Sequence, residues 1–264
     1  KFVFHKVPFS YEEIKNATAP RWTQFLDEVI VKEDDHTPDK ELQELLQLMF
    51  GYALSNTIKA QKAFFLFGES RAGKGVISQI LTTIMGGMDF VSFQKLGSLT
   101  NNEFSLTSLI GKKANIAGED ESSQISADTF KAIVAGDVQS TNRKFQSFIS
   151  FAPRVKLIMS ANKPLKFKYV DDAIRERLIT IPFFKQIPEE QRDLDLVIKL
   201  HKELPGIMKW ALQGLKKLIA RDYKFPKPEA SIKAMRAIEA DVSNAVRFLI
   251  DNYEVDNTQE SFVT

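Results

Sequence analysis

Two glycines and a lysine stand at Gly68, Gly73 and Lys74, with a further glycine at Gly75. They belong to the run Ala63-Phe64-Phe65-Leu66-Phe67-Gly68-Glu69-Ser70-Arg71-Ala72-Gly73-Lys74-Gly75-Val76. Five apolar residues stop at a glycine, and an apolar-periodic segment, Val76 to Met85, follows the lysine. The order is strand, loop, helix. Glycines let such a loop turn its N–H groups toward an anion, the lysine adds a full positive charge, and the helix N-terminus adds a partial one. The spacing G-x-x-x-x-G-K is that of a phosphate-binding loop. Gly75 departs from it, because Ser or Thr there would offer a hydroxyl to Mg²⁺. The alternative is a plain glycine-rich turn in a parallel sheet; the flanking strand and helix favour the phosphate reading.

Polar groups recur at the ends of later apolar runs. Lys112 to Gly118 is a small-residue strand candidate that ends in Glu119, Asp120 and Glu121. Carboxylates at a strand end beside a phosphate loop suit holding Mg²⁺ and orienting a water, whereas alone they would read as a solvated turn. Val155 to Ala161 ends at Asn162, where an amide could reach a γ-phosphate or a water, or merely form a turn. Val138 to Ile149 alternates around a basic tip and predicts a β-hairpin presenting Arg143 and Lys144. Such a tip fits a nucleic-acid backbone as well as plain solvent. Arg175 and Arg177 precede a short strand, and Glu176 between them allows a structural ion pair instead.

These groups need a scaffold. Apolar spacing predicts helices around Trp22 to Ile30, Leu42 to Leu54 and Ala127 to Ala135, the last closed by Gly136. Thr18-Ala19-Pro20 reads as the N-cap region of the first. Phe90 to Phe93 is a strand candidate, and Phe104 to Leu109 a short helix. Helices are predicted again at Leu194 to Leu204, Ile207 to Arg221 and Ile232 to Tyr253. With 264 residues, 44% of them hydrophobic, the chain can bury one large core. No apolar run is long enough to cross a bilayer, and the start lacks a signal-peptide apolar region. The absence of an initiator Met is expected of a piece of a longer protein. With no cysteine in the sequence, disulfides, zinc ribbons and thiol catalysis are excluded. A net charge of +2 leaves any nucleic-acid surface to local patches.

The order of phosphate loop, acidic strand end, Gly136-Asp137 with a basic hairpin, Ser160-Ala161-Asn162, then Arg175-x-Arg177-Leu178-x-x-Ile181-Pro182-Phe183 resembles the superfamily 3 helicases. These are the AAA+ group found in phage, plasmid and poxvirus-type primase–helicases. Pro20-Arg21-Trp22, Phe50-Gly51-Tyr52-Ala53-Leu54, Leu204-Pro205-Gly206-Ile207 and Trp210 to Leu215 resemble the helical segments on either side of that motor.

The resemblance implies an α/β fold: an AAA+-type P-loop core with a mostly parallel five-stranded sheet, between an N-terminal helical segment (1–58) and a C-terminal helical region (185–264), the core being 59–184. It implies ATP and Mg²⁺ as cofactors, with Gly68, Glu69, Ser70, Arg71, Ala72, Gly73, Lys74, Gly75 and Val76 around the phosphates. Glu119 and Asp120 would hold metal and activate water, their division of labour open and Glu121 a competitor. Asn162 would be sensor 1, and Arg177 an arginine finger supplied to a neighbouring subunit, with Arg175 as rival or partner. Lys131, Arg143 and Lys144 fall in the DNA-contacting region. The implied partners are single-stranded or forked DNA, further copies in a hexameric ring, and a primase or primase–polymerase domain upstream; the implied place is the cytoplasm, or the host cytoplasm for a viral chain. A DNA packaging or remodelling ATPase and a nucleotide-gated origin-binding scaffold with weak hydrolysis are the alternatives.

Overall fold

The computed structural model describes residues 9–118, 124–141 and 149–242. Three helices open the chain: α1 (Tyr11–Asn16), α2 (Pro20–Val29) and α3 (Lys40–Leu54). Strand β1 (Ala63–Gly68) and helix α4 (Lys74–Ile84) flank the glycine-lysine turn. Then come β2 (Val91–Ser92), α5 (Leu96–Asn101), β3 (Ala114–Gly118) and α6 (Ala127–Ala135). The strands β4 (Gln139–Thr141) and β5 (Ile149–Phe151) precede β6 (Lys156–Ala161), α7 (Asp172–Arg177) and β7 (Leu178–Phe183). Helices α8 (Leu196–Lys202), α9 (Leu204–Ala220) and α10 (Glu229–Val242) follow.

Five strands form one sheet in the order β2-β3-β6-β1-β7, with every pairing parallel. Parallel sheets are covered on both faces, and β1 shows why its sequence is a continuous apolar run. Phe64 and Leu66 enter one hydrophobic cluster, with α2, α3, α4 and α9, while Ala63 and Phe65 enter a second, with α5, α6 and α7. The expected β-hairpin is present as the antiparallel pair β4–β5; its tip, with Arg143 and Lys144, lies outside the described residues.

The helices that precede and follow the core meet directly. At Gly51 of α3 an added Cβ would stand 2.2 Å from the Leu215 backbone nitrogen, and at Gly214 of α9 one would stand 2.2 Å from the Gln47 carbonyl oxygen. Each helix thus gives up a side chain so that the two backbones can touch. Trp22 is fully buried edge-to-face against Trp210, ring centroids 5.5 Å apart. Thr18 does not cap α2. Its N-cap is Ala19, which has no capping side chain, and the Glu203 carboxylate instead accepts from the Arg21 and Trp22 backbone N–H groups at 3.0 Å each. Helix α9 starts earlier than the apolar spacing predicts, because Pro205 is tolerated in a first turn where its N–H has no helical partner. Among the described residues no helix is long and apolar enough to cross a membrane.

One buried charge lies at the lower edge of the sheet. Lys156, 1% exposed, donates to the Ser55 carbonyl at the C-terminus of α3 and lies 5.3 Å from the centre of the Tyr52 ring. A helix C-terminus and an aromatic face both favour a cation. Burial nevertheless pushes its pKa down to about 7, with the nearby Lys113 charge adding to the effect. In the unfolded chain the same lysine titrates near 10.4. Below about 7 the folded state carries the full cost of the buried charge, so stability should rise as the pH goes from about 7 toward 10. Lys156→Met should flatten that rise and stabilise the protein at neutral pH, as measured by denaturant unfolding of both proteins across this range. Parallel pH profiles would refute the buried cation as its source.

Candidate functional site

The strand register brings the motif residues to one edge. Phe67 pairs with Ala161, Gly68 with Phe183, and Gly118 with Ser160, so the carboxyl ends of β1, β6 and β3 lie side by side. Open α/β sheets bind ligands at this edge. Gly68 has φ +146°, and a Cβ there would lie 2.2 Å from the Phe183 carbonyl oxygen, which leaves glycine as the residue the turn accepts. Gly73, in the left-handed region, is the N-cap of α4, and no side chain caps that helix.

Lys74 is buried at the first turn of α4. Its ammonium donates to the carbonyl oxygens of Gly68 at 2.5 Å and Glu69 at 2.6 Å, and to Asn162 Oδ1 at 3.0 Å. Burial holds its pKa below the ordinary lysine value, with the Glu69 charge opposing. The geometry therefore joins Lys74 and Asn162, which are 88 positions apart. All three acceptors are neutral oxygens, which a phosphate could replace at the ammonium. Gly75 is open: a Cβ there meets nothing within 4 Å.

A cavity of about 620 Å³ lies over this turn. Its floor is Ser70 to Val76 with Ser160 to Asn162, and its far wall comes from α2 and from residues 187–196. Phe25 and Val29 crowd Gly73, their nearest atoms 3.2 and 3.0 Å from where its Cβ would be. Arg21 pairs with Glu28 at 3.2 Å and approaches Asp193 at 3.8 Å, linking the two parts of the wall. The Ile187 N–H donates to the Arg71 carbonyl at 3.2 Å and ties the second part to the loop. Of this wall the sequence pattern marks Arg21 alone, and only as part of a flanking helical segment. Its apolar members look like ordinary core positions in sequence, and only their three-dimensional packing marks them.

Arg177 ends α7 and directly precedes Leu178, which pairs with Ala63 at the start of β1. That is the opposite edge of the sheet, about 16 Å from the loop of the same chain at about 3.3 Å per residue. Its Nη1 donates to the Ala173 carbonyl at 3.0 Å, and its Nε is buried without a partner among the described residues. Among those residues the Glu176 carboxylate pairs with Lys62 at 3.9 Å and Lys227 at 3.6 Å, not with Arg177. Arg175 is engaged by Glu239 at 2.6 Å and by Asp172. Lys131 lies between Asp171 at 2.9 Å and Asp128 at 3.0 Å, and these carboxylates hold its pKa above the usual range. Glu119, Asp120 and Glu121 lie outside the described residues, as do Arg143 and Lys144. Among the described residues no cluster of metal-ligating side chains occurs.

A family of unknown function, DUF5906, matches residues 66–177, less than half of the chain but a span that reaches from β1 to Arg177. A search of curated proteins returned no match. Among solved structures, the A form apo structure of the NrS-1 C-terminal region is 14% identical, with a TM-score of 0.59 over 89% of this chain and 59% of that one. The A form apo structure of its 305–718 segment is 15% identical, with a TM-score of 0.53 over 96% of this chain and 60% of that one. A JCV helicase bound to a substituted acetamide is 16% identical over 80% of this chain and 68% of that one, at a TM-score of 0.38, too low to argue from. This chain spans about three-fifths of the NrS-1 chains it matches. The chain shares its α/β fold with the NrS-1 C-terminal region; its own sheet is parallel, five-stranded and flanked by helices, with the glycine-lysine loop at the carboxyl edge of its strands.

Proposed function

We propose that this chain is an ATP-hydrolysing motor of the superfamily 3 helicase type, which turns over ATP between neighbouring copies and moves along single-stranded DNA. The observation that carries the reading is the Lys74 ammonium, held on neutral oxygens with Asn162 beside it, beneath a cavity large enough for a nucleotide. Pockets of about 300–1,000 Å³ are usual for small ligands. The uncapped N-terminus of α4 and the glycines of the loop fit a phosphate chain.

In this reading Lys74 and the loop N–H groups bind the phosphates, and Asn162 orients the terminal phosphate or the attacking water. Mg²⁺, when bound, neutralises phosphate charge; Glu119 and Asp120, which follow β3, would hold it, since Gly75 has no hydroxyl to give. Arg177 lies too far from its own loop to serve it, which fits a residue that acts on the nucleotide of a neighbouring copy. A ring of six such subunits, forked DNA, and a primase or primase–polymerase domain upstream belong to the same proposal, as does a cytoplasmic place of action. Arg143 and Lys144 are its DNA contacts; Lys131, already held by two carboxylates, would contribute only if one of them were released. The lack of a hydroxyl at Gly75 favours, as a second reading, a nucleotide-gated scaffold that hydrolyses ATP weakly.

ATP turnover measured with and without single-stranded DNA, over a series of protein concentrations, tests the proposal. Turnover should rise with both, and Lys74→Ala should abolish it while the melting temperature stays within a few degrees. Binding of ATP without DNA-stimulated turnover would favour the scaffold, and turnover without strand displacement on a forked duplex would favour a packaging or remodelling ATPase. Gly75→Ser should leave stability within about 0.5 kcal/mol, because its side chain enters open space, and should lower the Mg²⁺ concentration at which ATP binding is half-maximal. An unchanged Mg²⁺ titration would show that position 75 does not face the metal. Removing the charges of Arg143 and Lys144 together should weaken single-stranded DNA binding for every sequence alike and reduce the slope of log K against log salt by about 0.7 per lost phosphate contact. An unaltered slope would return the two residues to solvent.

A further inference from the structure

Arg177 is carried by a helix too short to hold itself. α7 has six residues, and an isolated segment of that length does not stay helical in water. Its support comes from elsewhere. At the N-terminus Asp171 accepts from the Ile174 N–H at 2.8 Å and from Lys131 of α6 at 2.9 Å. Midway, Arg175 Nε donates to Glu239 of α10 at 2.6 Å. At the C-terminus the support is Lys62, the residue just before β1, whose ammonium donates to the Glu176 main-chain carbonyl. The Glu176 carboxylate turns toward the same ammonium and toward Lys227.

The register makes this contact local to the arginine. Ala63 pairs with Leu178, so Lys62 and Arg177 are neighbours at the foot of two adjacent parallel strands. The Lys62 side chain is 19% exposed, and burial lowers its pKa while the Glu176 charge opposes. A cation at a helix C-terminus is favourable because the last carbonyls have no helical partner. Among the described residues the Arg177 guanidinium makes one hydrogen bond, back into its own helix, and its buried Nε has no partner. Its direction is therefore set by the turn on which it stands.

We infer that Lys62 is a positioning residue for Arg177: by holding the Glu176 carbonyl at the foot of β1, it fixes the angle at which Arg177 leaves the chain toward a second copy. The inference rests on the reading of Arg177 as an arginine that serves a neighbour's nucleotide. Lys62 itself contacts no nucleotide in this role. Its loss lets the last turn of α7 unwind and misdirects the guanidinium, and small misplacements of a catalytic group cost as much as about 10²-fold in rate.

Four variants test it: Lys62→Met, Lys62→Arg, Arg177→Ala and the double variant Lys62→Met with Arg177→Ala. Lys62→Met should lower kcat by about tenfold to a hundredfold, with the KM for ATP changed by less than about twofold, because its own loop is intact. Lys62→Arg should recover most of the loss. The double variant should be no slower than Arg177→Ala alone, since a residue that acts through another adds nothing once that other is gone. Mixed with Lys74→Ala subunits, both Lys62→Met and Arg177→Ala should regain activity, because some interfaces then pair an intact loop with an intact Arg177. If Arg177→Ala retains full turnover, this inference and the role of Arg177 fall together. If Arg177→Ala is slow but Lys62→Met is not, or the double variant is slower than either single one, only the inference falls. A large drop in melting temperature of Lys62→Met without rescue by Lys62→Arg would make Lys62 a general stability residue and overturn it too.

Discussion

The burial of β1 on both faces is the constraint on which the rest of the molecule depends. Two neighbours, β6 and β7, satisfy its backbone, and two hydrophobic clusters cover its alternating side chains. A strand held on all sides cannot drift, so the place where it ends is fixed, and it ends at Gly68. The close approach of Gly68 to the Phe183 carbonyl then forces a tight turn there. That turn delivers Lys74 to the first turn of α4 and to Asn162 at the end of β6. The hydrophobic effect thus locates the strand, and the strand locates the charge.

The flanking helices serve the site by a longer route. Glu203, at the start of α9, supplies the N-cap that Ala19 cannot, and so anchors the first turn of α2 from 182 positions away. Helix α2 in turn provides one wall of the cavity. The glycines at Gly51 and Gly214 lock α3 to α9 at backbone distance. Changes in the C-terminal helices can therefore reach the cavity through packing, without any residue there touching a ligand.

Much of this was legible in the sequence because its causes are local. The apolar run before Gly68, the glycine-lysine spacing and the stop at Gly136 after α6 each express geometry within a few residues, and each matches the structure. Asn162 was legible as the end of a buried strand, although its partner Lys74 was not. Other features stayed hidden because their causes are distant. Helix α7 has too few residues to show a period, the Glu203 cap depends on chain segments far apart, and the cavity wall of Phe25, Val29 and residues 187–196 reads as ordinary core, loop and the start of a helix. Glu176 between two arginines suggests an ion pair by adjacency, but a helix sends successive side chains in different directions, and the carboxylate turns to Lys62 and Lys227 instead.

The pairing of β1 with β7 bears on how the chain can be divided. The segment 66–177 that matches DUF5906 begins halfway along β1 and stops one residue short of β7. Cut at those limits, the sheet would lose its outermost strand on one side, β7, and half of the adjacent β1. The backbone donors and acceptors that β7 now occupies would face water, and an unpaired apolar strand edge invites other chains to add to it. The recurring sequence unit is therefore smaller than the folding unit, and a recombinant fragment meant to remain soluble needs to begin before Ala63 and to continue beyond Phe183.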